Sequence, residues 1–223
     1  MKKLAALLSL SALATGAFAQ GTIGFINSST TLITTNATAA GGTAGNTATV
    51  AGGFYYGVFT APSTVTSLTP ADLLGTTWTF TGSYATNIPA GGRLSGGSTA
   101  VTSTGWPAGQ TNSFVVVGWS SNLGHDWATI AAELNGSTLN NGAWAGGHWT
   151  RTGFFGLSGV GFGEAGGGPN SLPPFALFGS GPTAAGTPLT AGFPLYITAV
   201  PEPATFALAG LGAAALLIFR RRK

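Results

Sequence analysis

The chain has 223 residues, of which only 6% are charged, and its formal net charge is +3. Six of the eight basic residues lie in the first three and the last four positions, so the span 20–199 has two basic residues against four carboxylates, a formal charge of −2. This span has no basic patch for nucleic acid or anionic lipid. Because the chain has no cysteine, disulfides, zinc–thiolate sites and cysteine nucleophiles are excluded as well.

The first twenty residues have the pattern of a secretory signal peptide. Two lysines precede an uncharged stretch over residues 4–14, and Ala17-Phe18-Ala19 follows. Signal peptidase requires small side chains at such positions, so we predict a signal helix over residues 1–19 and cleavage between Ala19 and Gln20. An uncleaved N-terminal anchor is the alternative, which the shortness of the apolar run disfavours.

Residues 20–199 have the composition of one folded, mainly β domain. They contain all six tryptophans and all four tyrosines, whereas disordered chains are poor in aromatic residues. Short β-branched and aromatic runs alternate with Gly, Pro, Asn and Ser clusters, which predicts a single antiparallel β-sandwich or jelly roll. The predicted strands are 22–26, 31–35, 53–60, 77–84, 93–102, 113–120, 153–157, 175–178 and 195–200. The Gly-rich stretches 40–45 and 156–168 are predicted to be loops.

Two segments of this domain have helical patterns. Thr69 and Pro70 begin a segment that ends at Gly75, which indicates a single turn of helix. In residues 126–134 the apolar side chains fall at i, i+3, i+4 and i+7, which predicts a short helix that packs one face on a sheet.

Catalytic and metal-binding patterns are weak. Glycoside hydrolysis needs two facing carboxylates, and the sequence cannot bring together any two of the four in this span, Asp72, Asp126, Glu133 and Glu164. His125 and His148 lack the spacing of zinc ligands, and no Gly-x-Ser-x-Gly elbow is present. We therefore predict no catalytic residue, no cofactor and no metal ion.

Several tryptophans of the middle third are candidates for stacking on sugar rings. The candidate glycan contacts are Trp106, Trp119, Trp144 and Trp149. The alternative interpretation, which we favour, is that these residues form part of the core, because tryptophan is usually well buried.

The C-terminal residues 200–223 combine three features. Val200-Pro201-Glu202-Pro203-Ala204 precedes an uncharged stretch over 204–219, which ends in Arg220-Arg221-Arg222-Lys223. Sixteen residues form a helix of roughly 24 Å, which can cross a bilayer if the flanking basic residues snorkel. We predict a transmembrane helix with the basic cluster in the cytoplasm and the domain outside.

This tail closely resembles the PEP-CTERM sorting signal, and the resemblance is confined to it. The resemblance implies that Pro201, Glu202 and Pro203 form the recognition element of an exosortase, an integral-membrane processing enzyme that cuts near the motif. The two prolines fix φ and keep this element extended. A plain tail anchor is the alternative interpretation.

Together these features predict an exported, noncatalytic protein of the cell surface or extracellular matrix. Its processing partners are signal peptidase and, by resemblance, an exosortase-type enzyme. An inner-membrane-anchored intermediate precedes the surface form, which serves in coating, adhesion or association with exopolysaccharide. A lectin-like carbohydrate-binding module is the alternative, and a secreted glycosidase is a weaker one.

Overall fold

A computed structural model describes residues 20–200 and shows a mainly β fold. The predicted signal helix over 1–19 and the predicted transmembrane helix over 204–219 lie outside the described residues. Within residues 20–200, no helix combines the length and apolar character needed to cross a membrane.

The strands follow in chain order, numbered β1 to β15 within the described residues. They are β1 (Gln20–Gly24), β2 (Thr34–Asn36), β3 (Ala44–Asn46), β4 (Phe54–Pro62), β5 (Thr79–Asn87), β6 (Leu94–Ser95), β7 (Val101–Pro107), β8 (Thr111–Ser120), β9 (Ser137–Asn140), β10 (Ala143–Gly146), β11 (Phe154–Leu157), β12 (Gly161–Glu164), β13 (Phe175–Ala176), β14 (Gly186–Thr187) and β15 (Pro194–Thr198). The α-helix α1 spans Trp127–Leu134, and short 3₁₀ helices span Thr38–Ala40 and Pro70–Leu74.

The larger sheet is organised around β8. Its strand order is β3-β2-β15-β11-β8-β4-β5-β6, with β10 and β9 branching from β15, and β12 and β14 branching from β8. On one side, β8 pairs with β4 over nine consecutive positions, from Phe54↔Ser120 to Pro62↔Asn112. On the other side, β8 pairs with β12 along its first half and with β11 along its second half.

A smaller sheet, in the order β13-β1-β7, covers one face of the larger sheet. The two are connected by hydrogen bonds at their margins: Thr22 in β1 exchanges backbone bonds with Gly166, just after β12, and the Thr104 hydroxyl in β7 donates to the Thr81 carbonyl in β5. The sheets therefore curl toward each other around a shared core. Its large buried members include Phe25, Tyr56, Trp106, Phe114, Phe175 and Phe193.

The opposite face of the larger sheet is covered by α1 and by the Pro70–Leu74 helix, which contact each other. Ile130 and Leu134 of α1 are buried there, as the apolar periodicity predicts. The second core includes Phe59, Trp78, Val115, Val117, Trp119, Trp144, Trp149 and Phe155. Because side chains alternate along a strand, Val115 and Val117 of β8 face this core, while Phe114 and Val116 face the first.

The mainly β prediction is confirmed, but several of its details differ from the structure. Three pairs are parallel (β1 with β13, β10 with β15, and β15 with β2), so the sheets are not purely antiparallel. The predicted loop at 40–45 overlaps β3, and the predicted loop at 156–168 overlaps the end of β11 and contains β12. The predicted strand at 93–102 is divided into β6 and β7 by a turn, and its second part continues to Pro107.

The close approach of β11 and β15 depends on a glycine. A Cβ on Gly156 would collide with the Pro194 carbonyl oxygen and would lie 2.9 Å from the Leu195 Cα. Backbone atoms cannot yield as a flexible side chain can, so Gly156→Ala has to push β15 away from β11.

We expect Gly156→Ala to lower the free energy of unfolding by about 1–3 kcal/mol, the usual cost of overpacking. The measurement is urea unfolding of the protein in mild detergent, followed by tryptophan fluorescence. Gly159→Ala is the matched control because a Cβ there meets nothing within 4 Å. Equal stabilities of the two variants would contradict the observed spacing of β11 and β15.

Candidate functional site

The last strand of the domain leads almost directly into the tail. β15 lies inside the larger sheet, between β11 and β2. The Thr198 N–H donates to the Gly153 carbonyl at 2.9 Å, and the Ala199 N–H donates to the Trp144 carbonyl at 2.7 Å. Only Val200, 37% exposed, separates the last bonded residue from Pro201. Among the described residues, backbone hydrogen bonding therefore reaches to within two residues of the predicted recognition element.

A buried threonine holds this end of β15 in place. The Thr198 hydroxyl accepts a hydrogen bond from the Gly153 N–H at 2.8 Å and donates one to the Arg151 carbonyl at 3.1 Å. Thr198 is only 1% exposed, so water cannot replace these partners. The hydroxyl thus ties the end of β15 to the segment that leads into β11.

The substitution Thr198→Val removes that hydroxyl and leaves the Gly153 N–H and the Arg151 carbonyl without this partner. We expect the free energy of unfolding to fall by about 1–3 kcal/mol as a result. We expect a loss of this size in urea unfolding, with faster amide exchange at Gly153. Thr138→Val in β9 is the control, because Thr138 is exposed. A stability equal to that of the control would show that the Thr198 hydroxyl does not hold the strand.

The other predicted processing residues lie mostly beyond the described part of the chain. Gln20 is the exposed first residue of β1, opposite Pro107, whereas Ala17 and Ala19 precede the described residues. Pro201, Glu202, Pro203, Ala204 and the basic cluster Arg220, Arg221, Arg222 and Lys223 follow them. Their roles in cleavage, recognition and orientation stay predictions.

The four tryptophans proposed as glycan contacts are all buried, with at most 2% of each exposed. Their indole N–H groups are also engaged: Trp106 donates to the Gln110 carbonyl, Trp119 to the Gly124 carbonyl, Trp144 to the Phe155 carbonyl and Trp149 to the Ser137 hydroxyl. A sugar cannot stack on a ring whose faces are covered. In this arrangement the four residues occupy the core, as the alternative interpretation has it.

The four carboxylates of the domain are spread over separate elements. Asp72 lies in the Pro70–Leu74 helix, Asp126 caps α1, Glu133 lies near the end of α1, and Glu164 lies in β12. Glu133 Oε1 accepts a bond from the Thr150 hydroxyl at 2.6 Å. Within residues 20–200, no three histidine or acidic side chains converge as metal ligands do.

Both aspartates are held as carboxylates by neighbouring threonines. Hydrogen bonds from the Thr69 hydroxyl and backbone N–H lower the pKa of Asp72. Bonds from the Thr129 backbone N–H and hydroxyl lower the pKa of Asp126. A general acid needs a raised pKa at neutral pH, so these two residues are suited to capping rather than to proton donation.

The cap at Asp126 gives a pH-dependent contribution to stability. Because its folded pKa lies below the unfolded value, the contribution is complete above about pH 4 and is lost as the pH falls through the folded pKa. We expect Asp126→Ala to cost about 1 kcal/mol at pH 7 and progressively less in acid, as measured by urea unfolding. Asp126→Asn keeps a capping oxygen without the charge. A cost for Asp126→Ala that stays constant down to pH 2 would contradict the assigned cause.

An open cleft on the helical side of the larger sheet escaped the sequence analysis. It lies between the Pro70–Leu74 helix, the start of β5 and α1, and has a volume of about 360 Å³. Its walls include Phe59, Trp78, Phe80 and Trp127. The Phe59 ring lies edge-on to Trp127, with centroids 4.6 Å apart, and 5.2 Å from Phe80. Phe80 and Trp127 are half-buried, so parts of both rings face solvent.

Trp78 differs from the other buried tryptophans of the domain. It is 2% exposed, yet its indole N–H has no hydrogen-bond partner among the described residues. An unpaired buried donor costs roughly 1–3 kcal/mol. No sequence pattern identifies such a donor, because the burial of Trp78 and the lack of an acceptor both arise from tertiary packing.

Comparison with known proteins adds one finding. Residues 199–223 match the family model described as the PEP-CTERM protein-sorting motif. The match covers the tail and overlaps the described residues only at Ala199 and Val200. No curated protein and no solved structure matches the chain.

Proposed function

Because the chain carries a PEP-CTERM protein-sorting motif over residues 199–223, we propose that it is an exported, noncatalytic protein of the cell surface or extracellular matrix. Signal peptidase removes the N-terminal segment, and an exosortase-type enzyme processes the tail. Between these steps the protein is held in the inner membrane through residues 204–219. Its role is coating, adhesion or association with exopolysaccharide.

The observation that carries the sorting proposal is the junction between β15 and the motif. The motif match starts at residue 199, directly after the end of β15 at Thr198. At no more than about 3.6 Å per residue, Ala199 and Val200 provide a very short tether. A cut beyond Val200 leaves every hydrogen bond of Thr198 and Ala199 intact, so the domain can leave the membrane without losing a strand.

The noncatalytic role is supported by the state of two of the four carboxylates. The usual glycosidase mechanism needs one carboxyl group of raised pKa opposite a second carboxylate. Asp72 and Asp126 have lowered pKa values and are engaged in capping. This chemistry favours a surface or binding role over the glycosidase alternative.

Low surface charge fits the proposed location. The domain has only two basic and four acidic residues, so its polar surface depends largely on uncharged side chains such as threonine, serine and asparagine. A neutral polar surface can approach a hydrated polysaccharide or another copy of the protein without charge repulsion. A lectin-like module is the second candidate, and the cleft between α1 and the Pro70–Leu74 helix favours it.

The test of sorting compares wild type with Glu202→Ala in the native host by intact mass and cell fractionation. We expect wild type to lose both ends and to leave the membrane, whereas Glu202→Ala retains the tail and stays membrane-bound. Glu202 follows the described residues 20–200, and we expect both proteins to unfold at the same urea concentration. If both proteins retain residues 220–223 and remain embedded, the tail is a plain anchor and the sorting proposal is wrong.

A further inference from the structure

We propose that Gln20, once signal peptidase has made it the N-terminal residue, closes into a pyroglutamyl ring and leaves the mature protein without a free α-amine. This inference rests on the proposed export and on the predicted cleavage between Ala19 and Gln20. It assigns a covalent modification to the N-terminal end of the domain, at the opposite end of the chain from the sorting motif.

The contacts that hold β1 suit a mature chain that begins at Gln20. The Thr22 N–H donates to the Gly166 carbonyl at 3.0 Å, and the Gly166 N–H donates back to the Thr22 carbonyl at 2.9 Å. Gly21 is buried, and a Cβ there would collide with the Trp106 carbonyl oxygen. The strand is therefore packed tightly from its second residue onward, and removal of the residues before Gln20 leaves these contacts intact.

Gln20 itself is the one exposed residue of β1. The residue opposite it on β7 is Pro107, which has no N–H and cannot donate to the Gln20 carbonyl. The register with β7 also shifts between Gln20 and Gly21, so Gln20 does not continue the regular ladder. Its side chain can therefore fold back on its own backbone nitrogen without disturbing the strand pairs that follow.

The reaction needs no second molecule. The α-amino nitrogen of Gln20 attacks the side-chain carbonyl carbon Cδ, and the new C–N bond closes a five-membered lactam. The side-chain amide nitrogen takes up the proton that the amine gives up and leaves as ammonia, so nothing is oxidised or reduced. An α-amino group has a pKa of about 7.7–8.0, so part of it is unprotonated and nucleophilic at neutral pH.

The other glutamine of the chain, Gln110, cannot follow the same course. Its backbone nitrogen is an amide that donates to the Pro107 carbonyl at 3.2 Å, and an amide nitrogen is a poor nucleophile. Gln110 therefore keeps its side-chain amide and serves as an internal reference within the same protein.

Ring closure changes the charge and the reactivity of this end of the domain. A lactam nitrogen carries no positive charge, so the span 20–199 keeps its formal charge of −2 and gains no charged amine at its start. Aminopeptidases require a free α-amine, so a closed ring also protects the exposed end of β1 outside the cell.

The test is the intact mass of the mature protein from the native host, together with fragmentation of its N-terminal peptide. We expect most chains to begin at residue 20 and to be lighter by one ammonia than the open form. A synthetic peptide of residues 20–26, carried through the same short, cold steps, measures the ring closure that handling causes. If the mature protein is no more cyclised than this peptide, the proposal is overturned.

The same spectrum distinguishes failure of this proposal from failure of the proposed export. A chain that begins at Gln20 with an open side-chain amide overturns ring closure and leaves export and cleavage standing. A chain that still carries residues 1–19 contradicts both. A chain that begins at any other residue overturns ring closure and moves the cleavage site.

Gln20→Ser is the matched control variant, because serine has no side-chain carbonyl for the amine to attack. Gln20 is exposed, so we expect the variant to fold and to be exported like wild type. Its N-terminal peptide should show no loss of ammonia, and the mature variant should focus at a higher pH because it keeps a titratable amine. Equal isoelectric points would show that wild type keeps its amine too, and the proposal would then be wrong.

Discussion

The architecture depends on the burial of β8 on both faces. All of its residues after Thr111 are buried, so its even and odd positions supply different cores. Phe114 and Val116 enter the core beneath the smaller sheet, and Val115 and Val117 enter the core beneath α1. Such a strand needs partners along both edges, because an unpaired backbone group at this depth is costly. The pairing with β4 on one edge, and with β12 and β11 on the other, meets that requirement.

Glycines let the strands on either side of β8 come close enough for these cores to fill. A Cβ on Gly161 would overlap the ring of Phe114, and one on Gly118 would lie 2.9 Å from both Tyr56 Cδ1 and Leu195 Cδ2. Large aromatic side chains therefore pack against bare backbone on the neighbouring strand. Without disulfides, this packing supplies much of the stability, and it explains why a glycine-rich chain can still have dense cores.

The sequence predicts the elements whose side chains are chemically distinctive. The β-branched and aromatic run at 113–120 lies within β8, and the apolar periodicity of 126–134 corresponds to α1. By contrast, β12 has the sequence Gly-Phe-Gly-Glu, which has little strand propensity of its own. It is a strand because the Phe114 ring fills the space above Gly161 and the backbone pairs with β8. The parallel strand pairs cannot be predicted from local sequence patterns either, since they join segments far apart in the chain.

Candidate sites were harder to predict than strands, because exposure is decided by tertiary packing. Trp106 and Trp127 have similar local surroundings of Gly, Ala and polar residues, yet Trp106 is in the core and Trp127 is only half-buried. Whether an indole N–H finds an acceptor depends on distant segments as well. Trp149 donates to Ser137, twelve residues away, whereas Trp78 has no such acceptor among the described residues. The sequence therefore identifies a set of tryptophans without showing which are buried and which of the buried ones find an acceptor.

The basic residues are concentrated at the two ends of the chain and are nearly absent from the domain between them. Basic residues near a membrane segment resist translocation and fix its orientation, and the chain keeps six of its eight at the two ends. The span 20–199 has only Arg93 and Arg151, so it presents little that competes with the cluster at 220–223. The last backbone hydrogen bond at this end of the domain is made by Ala199, directly after β15, so processing of the tail as proposed would leave the sheet complete. The low charge of the domain fits both the proposed passage across the membrane and the neutral surface proposed for the exported protein.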